Sequence, residues 1–405
     1  MTVPLLFETI QQELQEIQAQ GLYRSWRRVE AVEGSRIRVD GRWLLHLASN
    51  NYLGLSQHPR VVAAAKEAID RYGAGAGSAR LIGGTFALHE ELEEQLARFK
   101  QTEQALVFPT GYMANLGILS SLAGPEDLIL GDRLNHASLI DACRLSKATF
   151  RVYPHGDPER LEAALKHRTG RYRRTLIATE TVFSMDGTLA PLPEIVEVAR
   201  RHGAWLLIDD AHATGVFGAR GRGTLEHFGI SPDDILQMGT LSKALGSLGG
   251  YLAGPRPVIE MLKNRARSFL YTTALPPASC AAALEALRVI EEEPLWRKRL
   301  WENVESWVSH LSELGCDLLS RSSPIVPVRI GSNEKTMALA QALFEEGIYA
   351  PGIRPPTVPA GSARIRTSIT ALHAEPDLKR AIISFRNALE NEKISRFPLK
   401  AYGIH

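Results

Sequence analysis

A lysine and an aspartate–histidine pair are the residues of this sequence best suited to chemistry. Lys243 follows Thr240 by three positions and precedes a run of small residues that reaches Gly250. Upstream, an apolar run ends in Asp209, and His212 comes three residues later. A lysine can form a Schiff base with the aldehyde of pyridoxal phosphate, and a carboxylate can keep the pyridine nitrogen of that cofactor protonated. Together the two stretches favour pyridoxal phosphate chemistry over the plain alternative of a surface lysine in a glycine-rich turn.

These residues share a position relative to the predicted strands. Between about residue 104 and residue 253, short apolar segments alternate with helical ones, which predicts a mainly parallel sheet with helices on both faces. Ligands of such sheets bind beyond the carboxyl ends of the strands. We therefore expect one site at that edge. Six residues are predicted to lie at or just after the end of a strand: Gly111, His136, Ser184, Asp209, His212 and Thr240.

Two predicted helix starts lie at the same edge. The backbone amides of Gly111 and Tyr112 would be free at the first start, and free amides at a helix start bind phosphate groups. An ordinary strand-to-helix turn explains that segment equally well. At the second start, the spacing of Ser138 and Asp141 predicts a capping pair, which leaves His136 on the loop just before the helix.

Composition argues against several classes of protein. The 405 residues predict two or three packed units, and 44% hydrophobic with 23% charged residues is typical of a globular protein. The net charge of +2 argues against nucleic acid or an anionic membrane as a main partner. No apolar run reaches the ~18 residues that read as a membrane span, and the first residues do not resemble a secretory signal. We therefore expect a cytoplasmic protein.

Three alternative sites are set aside. The glycine-rich segment 73–84 invites comparison with a dinucleotide-binding loop, but such a loop must follow a strand, and here a helix precedes it. Asp209, Asp210 and His212 could ligate a metal, but adjacent residues of a strand point to opposite sides and no further ligands lie nearby. The three cysteines are far apart and form neither a disulfide frame nor a zinc motif.

The character of the sequence changes after residue 275. Two helical patterns are followed by a strand, a helix and further short strands, which is typical of a smaller α+β domain. We predict four segments. These are a helix and hairpin at 1–50, a large cofactor-binding α/β domain at 51–275, a small C-terminal α+β domain at 276–395, and a tail at 396–405.

The motifs from Ser49-Asn-Asn-Tyr-Leu-Gly54 to Thr370-Ala-Leu-His373 resemble the α-oxoamine synthase family of fold type I pyridoxal phosphate enzymes. The resemblance covers nearly the whole chain. It implies a mainly parallel seven-stranded sheet with helices on both faces and a smaller α+β C-terminal domain. It also implies a transferase that binds pyridoxal 5′-phosphate and forms a homodimer with the active site at the subunit interface.

The resemblance assigns a role to each candidate residue. Lys243 would carry the cofactor and then deprotonate the bound amino acid. Asp209 would face the pyridine nitrogen, a choice between Asp209 and Asp210 that strand direction decides. The remaining assignments are His212 and Ser184 to the ring hydroxyl, His136 to the ring face, the amides of Gly111 and Tyr112 with the Thr240 hydroxyl to the phosphate, Thr272 or Thr273 to the phosphate of the other subunit, Asn50 and Arg366 to the amino-acid carboxylate, and Arg354, Thr357 and Arg24 to the acyl substrate.

One stretch distinguishes members within the family. The run Ile353-Arg-Pro-Pro-Thr-Val-Pro-Ala-Gly-Ser-Ala-Arg-Ile-Arg366 resembles the branch that condenses L-alanine with a pimeloyl thioester and releases carbon dioxide, in biotin biosynthesis. The thioester is carried by coenzyme A or by an acyl carrier protein, and the sequence leaves that choice open. The alternatives are a sibling acyltransferase that uses glycine and acetyl-CoA, and a non-catalytic subunit. The presence of both Lys243 and Asp209 argues against the latter.

Overall fold

The structure, a computed structural model, describes residues 6–167 and 171–391. The predicted tail 396–405 lies outside the described residues. The strands are β1 (Val29–Glu33), β2 (Arg36–Val39), β3 (Arg42–His46), β4 (Gln104–Phe108), β5 (Leu128–Asp132), β6 (Thr149–Tyr153), β7 (Thr175–Glu180), β8 (Trp205–Asp209), β9 (Ile235–Thr240), β10 (Gly250–Gly254), β11 (Ile325–Gly331), β12 (Ile348–Tyr349), β13 (Gly352–Ile353) and β14 (Ala363–Ser368). The α-helices are α1 (Leu6–Ala19), α2 (Pro59–Tyr72), α3 (Ala87–Lys100), α4 (Gly111–Leu122), α5 (Ala137–Leu145), α6 (Pro158–Lys166), α7 (Leu192–Arg201), α8 (Thr224–Phe228), α9 (Arg256–Arg265), α10 (Arg267–Leu270), α11 (Pro277–Glu292), α12 (Leu295–Glu313), α13 (Asn333–Glu345) and α14 (Glu375–Asn391).

A seven-stranded sheet carries the predicted site. Its order is β4-β10-β9-β8-β7-β5-β6, and only β10 runs antiparallel to its neighbours. Every residue of β5, β7 and β9 is buried, as expected of parallel strands with helices on both faces. The predicted mainly parallel sheet is therefore confirmed. The sequence pattern does not predict β6, an edge strand in which two of the five residues are exposed and only Tyr153 is buried.

Helices cover both faces of this sheet. Apolar side chains of α4, α5 and α9 pack in one buried cluster against the strands. Those of α6 and α7 pack in a second cluster on the other face. Among the described residues, no helix is long and apolar enough to cross a membrane. Both faces of the sheet are thus covered by helices.

The C-terminal part forms a smaller layer of helices and strands. Strands β11, β14 and β13 form an antiparallel sheet. Trp307 of α12 is completely buried there, and its indole N–H donates to the Thr367 hydroxyl at 3.0 Å. The predicted hairpin at Asp40-Gly41 also forms, with φ of 51° and 72° at the two turn residues. Its strand β3 pairs in parallel with β12, which attaches the N-terminal hairpin to the C-terminal part of the chain.

Candidate active site

Three neighbouring strands end together at the site. Strands β7, β8 and β9 are adjacent and parallel, and their last residues are Glu180, Asp209 and Thr240. The carboxyl ends of parallel strands lie at one edge of a sheet, and the side chains of the last strand residues and of the loops that follow face a shared crevice there. Lys243 follows β9 by three residues and therefore enters the same space.

Asp209 is a buried carboxylate held by neutral donors. Asp209 is only 5% exposed. Oδ2 accepts a hydrogen bond from Asn115 Nδ2 at 2.9 Å, and Oδ1 accepts one from the Ala211 amide at 3.1 Å. Within residues 6–167 and 171–391, no cation forms a salt bridge with it. A buried carboxylate with this surrounding is suited to a positively charged ligand.

The carboxylate of the neighbouring Asp210 is bound by other side chains of the protein. Its carboxylate is completely buried and forms an ion pair with Lys100 at 2.9 Å. The other oxygen accepts hydrogen bonds from the hydroxyls of Thr181 and Thr224 at 2.8 and 2.7 Å. Adjacent residues at the end of a strand point to opposite sides. The choice that the sequence pattern left open therefore falls on Asp209 as the residue free to bind a ligand.

Lys243 is an amine whose charge is disfavoured. Burial lowers its pKa to about 8, and the positive charge of Arg366 lowers it further, while Asp209 and Glu180 act in the opposite direction. Burial likewise raises the pKa of Glu180 to about 8, assisted by the negative charge of Asp209. Glu180 Oε1 is buried without a hydrogen-bond partner, and Oε2 accepts from the Ser184 amide at 3.2 Å. A neutral amine near pH 8 is a competent nucleophile and proton acceptor.

The start of α4 forms a cradle of backbone amides. The Thr110 hydroxyl caps this helix by accepting from the Met113 amide at 3.1 Å, and the first intrahelical bond runs from Ala114. The amides of Gly111 and Tyr112 precede that bond and remain available. A Cβ atom at Gly111 would lie 3.6 Å from the Thr240 hydroxyl oxygen, so the helix start and this hydroxyl lie side by side.

The two histidines differ in their surroundings. His212 is 5% exposed, and its Nδ1 shares a hydrogen bond of 2.7 Å with the Tyr52 hydroxyl. Burial and the nearby charge of Lys243 hold the pKa of His212 well below its usual value, so its ring is neutral at pH 7. His136 is the N-cap of α5, where its Nδ1 accepts from the Ser138 amide at 3.2 Å.

The predicted capping pair of Ser138 and Asp141 is therefore wrong. The Ser138 hydroxyl instead accepts a hydrogen bond from Asn115 at 2.9 Å, and Asp141 accepts one from the Tyr112 hydroxyl. The imidazole of His136 takes over the capping function because its Nδ1 lies within reach of the Ser138 amide in the first turn of α5. As a consequence His136 is fixed at the helix start rather than placed on a free loop.

Arg366 and Asn50 form a polar corner next to Ser184. Arg366 is 6% exposed and donates from Nη2 to Asn50 Oδ1 at 3.2 Å and from Nε to the Ser184 carbonyl at 2.7 Å. Its Nη1 donates to the Ser368 hydroxyl at 2.8 Å. Among the described residues it has no carboxylate partner within salt-bridge distance. A guanidinium in this state is suited to a carboxylate ligand.

A separate cavity of about 640 Å³ lies between the N-terminal segment and the C-terminal part of the chain. Segment 23–27 forms one wall, and α13 with the β12–β13 connection forms the other. Arg24 donates to the Thr357 hydroxyl at 3.0 Å, and Arg354 donates to the Tyr23 carbonyl at 2.9 Å. The Arg366 amide donates to the carbonyl of Pro351, which lines the cavity. The structure thus brings together Arg24, Arg354 and Thr357 at this cavity, which a backbone hydrogen bond from Arg366 to Pro351 connects to β14.

Thr272 and Thr273 lie elsewhere in the single chain. They follow α10, and Thr273 forms a β-bridge with Ala79 of the glycine-rich segment. The Ala274 amide donates to the Ser78 carbonyl at 3.0 Å. Within one chain this loop is therefore attached to the glycine-rich segment rather than to the Lys243 pocket.

Comparison with known proteins identifies the family. The sequence model for aminotransferase class I and II matches residues 43–385. The chain belongs to this family. Relatives named 8-amino-7-oxononanoate synthase include one from Geobacter sulfurreducens, 51% identical over 91% of this chain and 95% of the relative, and one from Symbiobacterium thermophilum, 47% identical over 94% and 97%.

Solved structures support the same family. A serine palmitoyltransferase from S. paucimobilis with bound PLP superposes with a TM-score of 0.91 at 34% identity, covering 96% of this chain and 98% of that one. An 8-amino-7-oxononanoate synthase from Francisella tularensis has a TM-score of 0.75 at 29% identity, over 87% and 99%. The fold type I architecture predicted from the sequence is confirmed, and the cofactor of this family is pyridoxal phosphate.

The residues of this chain fit that cofactor. The uncompensated carboxylate of Asp209 is complementary to a protonated pyridine nitrogen, and the Gly111–Tyr112 amides beside Thr240 are complementary to a phosphate. Lys243 supplies an amine with a lowered pKa. A carboxylate, a set of free amides for a phosphate and an amine thus lie at the same edge of the sheet, as the binding of pyridoxal phosphate requires.

Three residues of the site are missing from the predicted set. Tyr52 forms a hydrogen bond with His212, and Asn115 donates one to Asp209. Glu180 is the third, and its charge raises the pKa of Lys243. Glu180 carries the same signal as the predicted residues, since it ends a strand. Asn115 lies one helical turn after Gly111 and therefore on the same side of α4. For Tyr52 the sequence holds no comparable signal beyond its place in the Ser49–Gly54 motif.

Proposed function

We propose that this protein catalyses the decarboxylative condensation of L-alanine with a pimeloyl thioester, giving 8-amino-7-oxononanoate, carbon dioxide and free thiol, in biotin biosynthesis. Relatives 47% and 51% identical over more than nine-tenths of the chain carry the name of that enzyme. The observation that carries the proposal here is the arginine-lined cavity whose Pro351 carbonyl accepts a hydrogen bond from the Arg366 amide. It offers room for an acidic acyl chain, and Arg366 links it to the residues that would hold an amino acid.

The amino acid is bound through its carboxylate. Arg366 presents a buried guanidinium without a carboxylate partner among the described residues, and Asn50 orients it. Burial removes water from the Arg366 guanidinium and lowers the local dielectric constant, which strengthens its interaction with a carboxylate. Because Arg366 is close enough to lower the pKa of Lys243, a carboxylate bound by this guanidinium would lie near the reacting amine.

Residues of three strand ends and one helix start would hold the cofactor. Bound pyridoxal phosphate supplies an aldehyde that forms a C=N bond with an amine and a ring that accepts the electron pair of a broken Cα bond. Asp209 would bind its ring nitrogen, Lys243 would bind its aldehyde carbon, and His136 would contact its ring. Gly111, Tyr112 and Thr240 would bind the phosphate, and Ser184 and His212 would bind the ring hydroxyl.

Lys243 moves the proton. Lys243 Nζ, freed when the amine of alanine takes its place and with a pKa near 8, would accept the Cα proton of alanine. The Cα–C bond would then form at the thioester carbonyl while the C–S bond breaks, and the thiolate that leaves would take a proton from water. The carboxylate next leaves as carbon dioxide, and the Cα atom takes back one proton. The carboxylate of Asp209 stabilises the ammonium form that Lys243 adopts after the first transfer, and Glu180 does so once it is ionised.

The acyl donor is bound in the arginine-lined cavity. Arg24, Arg27 and Arg354 line it, and within the described residues none of the three has a carboxylate partner. Arg27 instead bonds to Gln341 at 2.8 Å and stacks on the Phe344 ring. The far end of a pimeloyl chain is a carboxylate, and an arginine fork is the side chain that best recognises this group. Apolar residues such as Ile348 and Phe344 line the same cavity and suit the methylene chain.

The active unit is proposed to be a homodimer in the cytoplasm. Leu81, Ile82 and Tyr271 are 66%, 84% and 73% exposed and lie on segments linked by the Ala79–Thr273 bridge. An exposed apolar patch of this kind is typical of a protein–protein interface. A second copy seated on it would bring Thr272 or Thr273 toward the phosphate of the neighbouring site, which one chain cannot do alone.

The test is a comparison of substrate pairs. Purified protein loaded with pyridoxal phosphate is mixed with L-alanine and pimeloyl-CoA, with L-alanine and pimeloyl-acyl carrier protein, with glycine and acetyl-CoA, and with L-serine and palmitoyl-CoA. Mass spectrometry identifies the product, and Lys243→Ala is the control. The amino ketone from alanine and a pimeloyl donor is expected. A product formed only from glycine or serine would assign a sibling reaction, and turnover by Lys243→Ala would refute the proposed mechanism.

A further inference from the structure

A buried ion pair lies directly behind the site. The side chains of Lys100 and Asp210 are 1% and 0% exposed, and Lys100 Nζ donates to Asp210 Oδ2 at 2.9 Å. Lys100 is the last residue of α3, and Asp210 follows the end of β8. Charges buried this deeply are retained only where their partners are complete, because an unpaired one destabilises the fold strongly.

The pair fastens the loop between β8 and α8. Lys100 Nζ also donates to the Arg222 carbonyl at 2.5 Å, near the end of this loop. Asp210 Oδ1 accepts from both the amide and the hydroxyl of Thr224, at 3.3 and 2.7 Å. A Cβ atom at Gly223 would lie 1.8 Å from Asp210 Oδ2, which shows how closely the returning backbone wraps the carboxylate. The two ends of the loop are thus tied to one buried charge pair.

The same loop carries two contacts of the cofactor pocket. Its Ala211 amide donates to Asp209 Oδ1 at 3.1 Å, and its His212 bonds to the Tyr52 hydroxyl at 2.7 Å. The backbone of Asp210 links these contacts to the sheet, since its amide donates to Met238 and its carbonyl accepts from Thr214 at 3.0 Å. A displacement of Asp210 therefore displaces Ala211 and His212 together.

We propose that Lys100 and Asp210 are positioning residues that hold Asp209 and His212 in the orientation required for the cofactor. They touch neither substrate nor reacting atoms and act through the loop that they fasten. The inference rests on the proposed cofactor site but not on the identity of the substrates. It predicts that disturbing the pair weakens cofactor binding more than its effect on folding accounts for.

The test uses the full-length protein freed of cofactor. Asp210→Asn keeps the shape and the acceptor for Thr224 but removes the ion pair, and Thr224→Val removes one hydroxyl contact while keeping the volume. The matched control is Glu93→Gln, which breaks the ion pair with Arg80 (2.8 Å, side chains 9% and 11% exposed) on the same helix α3. Cofactor affinity is measured by fluorescence titration, the melting temperature by calorimetry, and the visible absorbance of the loaded protein as a function of pH.

Asp210→Asn is expected to raise the dissociation constant for pyridoxal phosphate about tenfold and to shift the pH midpoint of the visible band, as expected of a misplaced contact group. Thr224→Val should give a smaller change of the same sign. Glu93→Gln should lower the melting temperature but leave affinity and pH midpoint unchanged. If Asp210→Asn and Thr224→Val bind the cofactor as tightly as the unaltered protein, the positioning role is refuted. If Asp210→Asn does not fold, Thr224→Val decides. No substrate is added, so failure of the proposed reaction would leave this result intact.

Discussion

Replacement of Asp209 by asparagine separates the role of this charge from the role of its shape. Both partners of the carboxylate, Asn115 Nδ2 and the Ala211 amide, are donors. The amide group of an asparagine can accept from only one of them, so one donor loses its partner. Asn115 can rotate its amide and present Oδ1, which has no hydrogen-bond partner, but this rotation ends the donation from its Nδ2 to the Ser138 hydroxyl. The loss of stability should therefore be near that of one neutral hydrogen bond, about 1 kcal/mol.

The effect on cofactor binding should be larger. A hydrogen bond to a charged group contributes about 1.5–3 kcal/mol. At about 1.4 kcal/mol per factor of ten, loss of the contact between Asp209 and a protonated pyridine nitrogen raises the dissociation constant about 10- to 150-fold. Turnover should fall at least as far, because an unprotonated ring is a weaker acceptor of electrons.

The assay is a titration of the cofactor-free variant with pyridoxal phosphate, followed by absorbance, with unfolding measured in parallel. Asp234→Asn is the control, since Asp234 forms an exposed ion pair with Arg200 at 2.6 Å on the surface. The control should bind the cofactor normally. A dissociation constant of Asp209→Asn within about threefold of the unaltered protein corresponds to less than 1 kcal/mol and would contradict the assignment of this carboxylate to the ring nitrogen.

Three further outcomes are expected. Arg354→Met should raise the KM for the pimeloyl thioester about tenfold and leave the KM for L-alanine unchanged, because it removes one charge-assisted contact from the acyl cavity only; an equal rise in both constants would contradict a separate acyl site. The rate at which cofactor-free protein reacts with pyridoxal phosphate should rise with pH to a midpoint near 8, where Lys243 loses its proton, and a midpoint near the ordinary lysine value would exclude the effect of burial. Gly223→Ala should destabilise by about 3 kcal/mol, since its Cβ overlaps the Asp210 carboxylate at 1.8 Å, whereas Gly229→Ala, with open space and φ of 66°, should cost about 1 kcal/mol in a denaturant titration.

The fold could be predicted because its signals are local. Alternation of apolar strands with helical segments between about residues 104 and 253 is set by residues close in sequence, and it predicts the parallel sheet. β6 escapes this pattern because it lies at the edge of the sheet and is only partly covered: Arg151 and Val152, adjacent residues on opposite faces, are both exposed. The predicted capping pair at the start of α5 is wrong because the residue that caps this helix, His136, is not among the usual capping residues.

Most of the candidate site follows from position along the chain. Asp209 and Thr240 end their strands and Lys243 follows one, so their meeting at one edge is a consequence of strand direction. The sequence pattern cannot assign a charge state to any of them. The pKa of Lys243 depends on burial and on Arg366, a residue that the fold brings near from a distant part of the chain.

The sequence by itself thus determines which reactive motifs are present and where they lie along the chain. These are a lysine motif, an aspartate–histidine motif and a helix start that contains glycine, each at the end of a strand. Only the tertiary structure decides that Asp210 is neutralised by Lys100 and that Asp209 is not. It also joins Arg366 to Asn50 across 316 residues. The physical reason is that burial and charge compensation arise from contacts between segments remote in sequence, whereas secondary structure and motif spacing arise from neighbours along the chain.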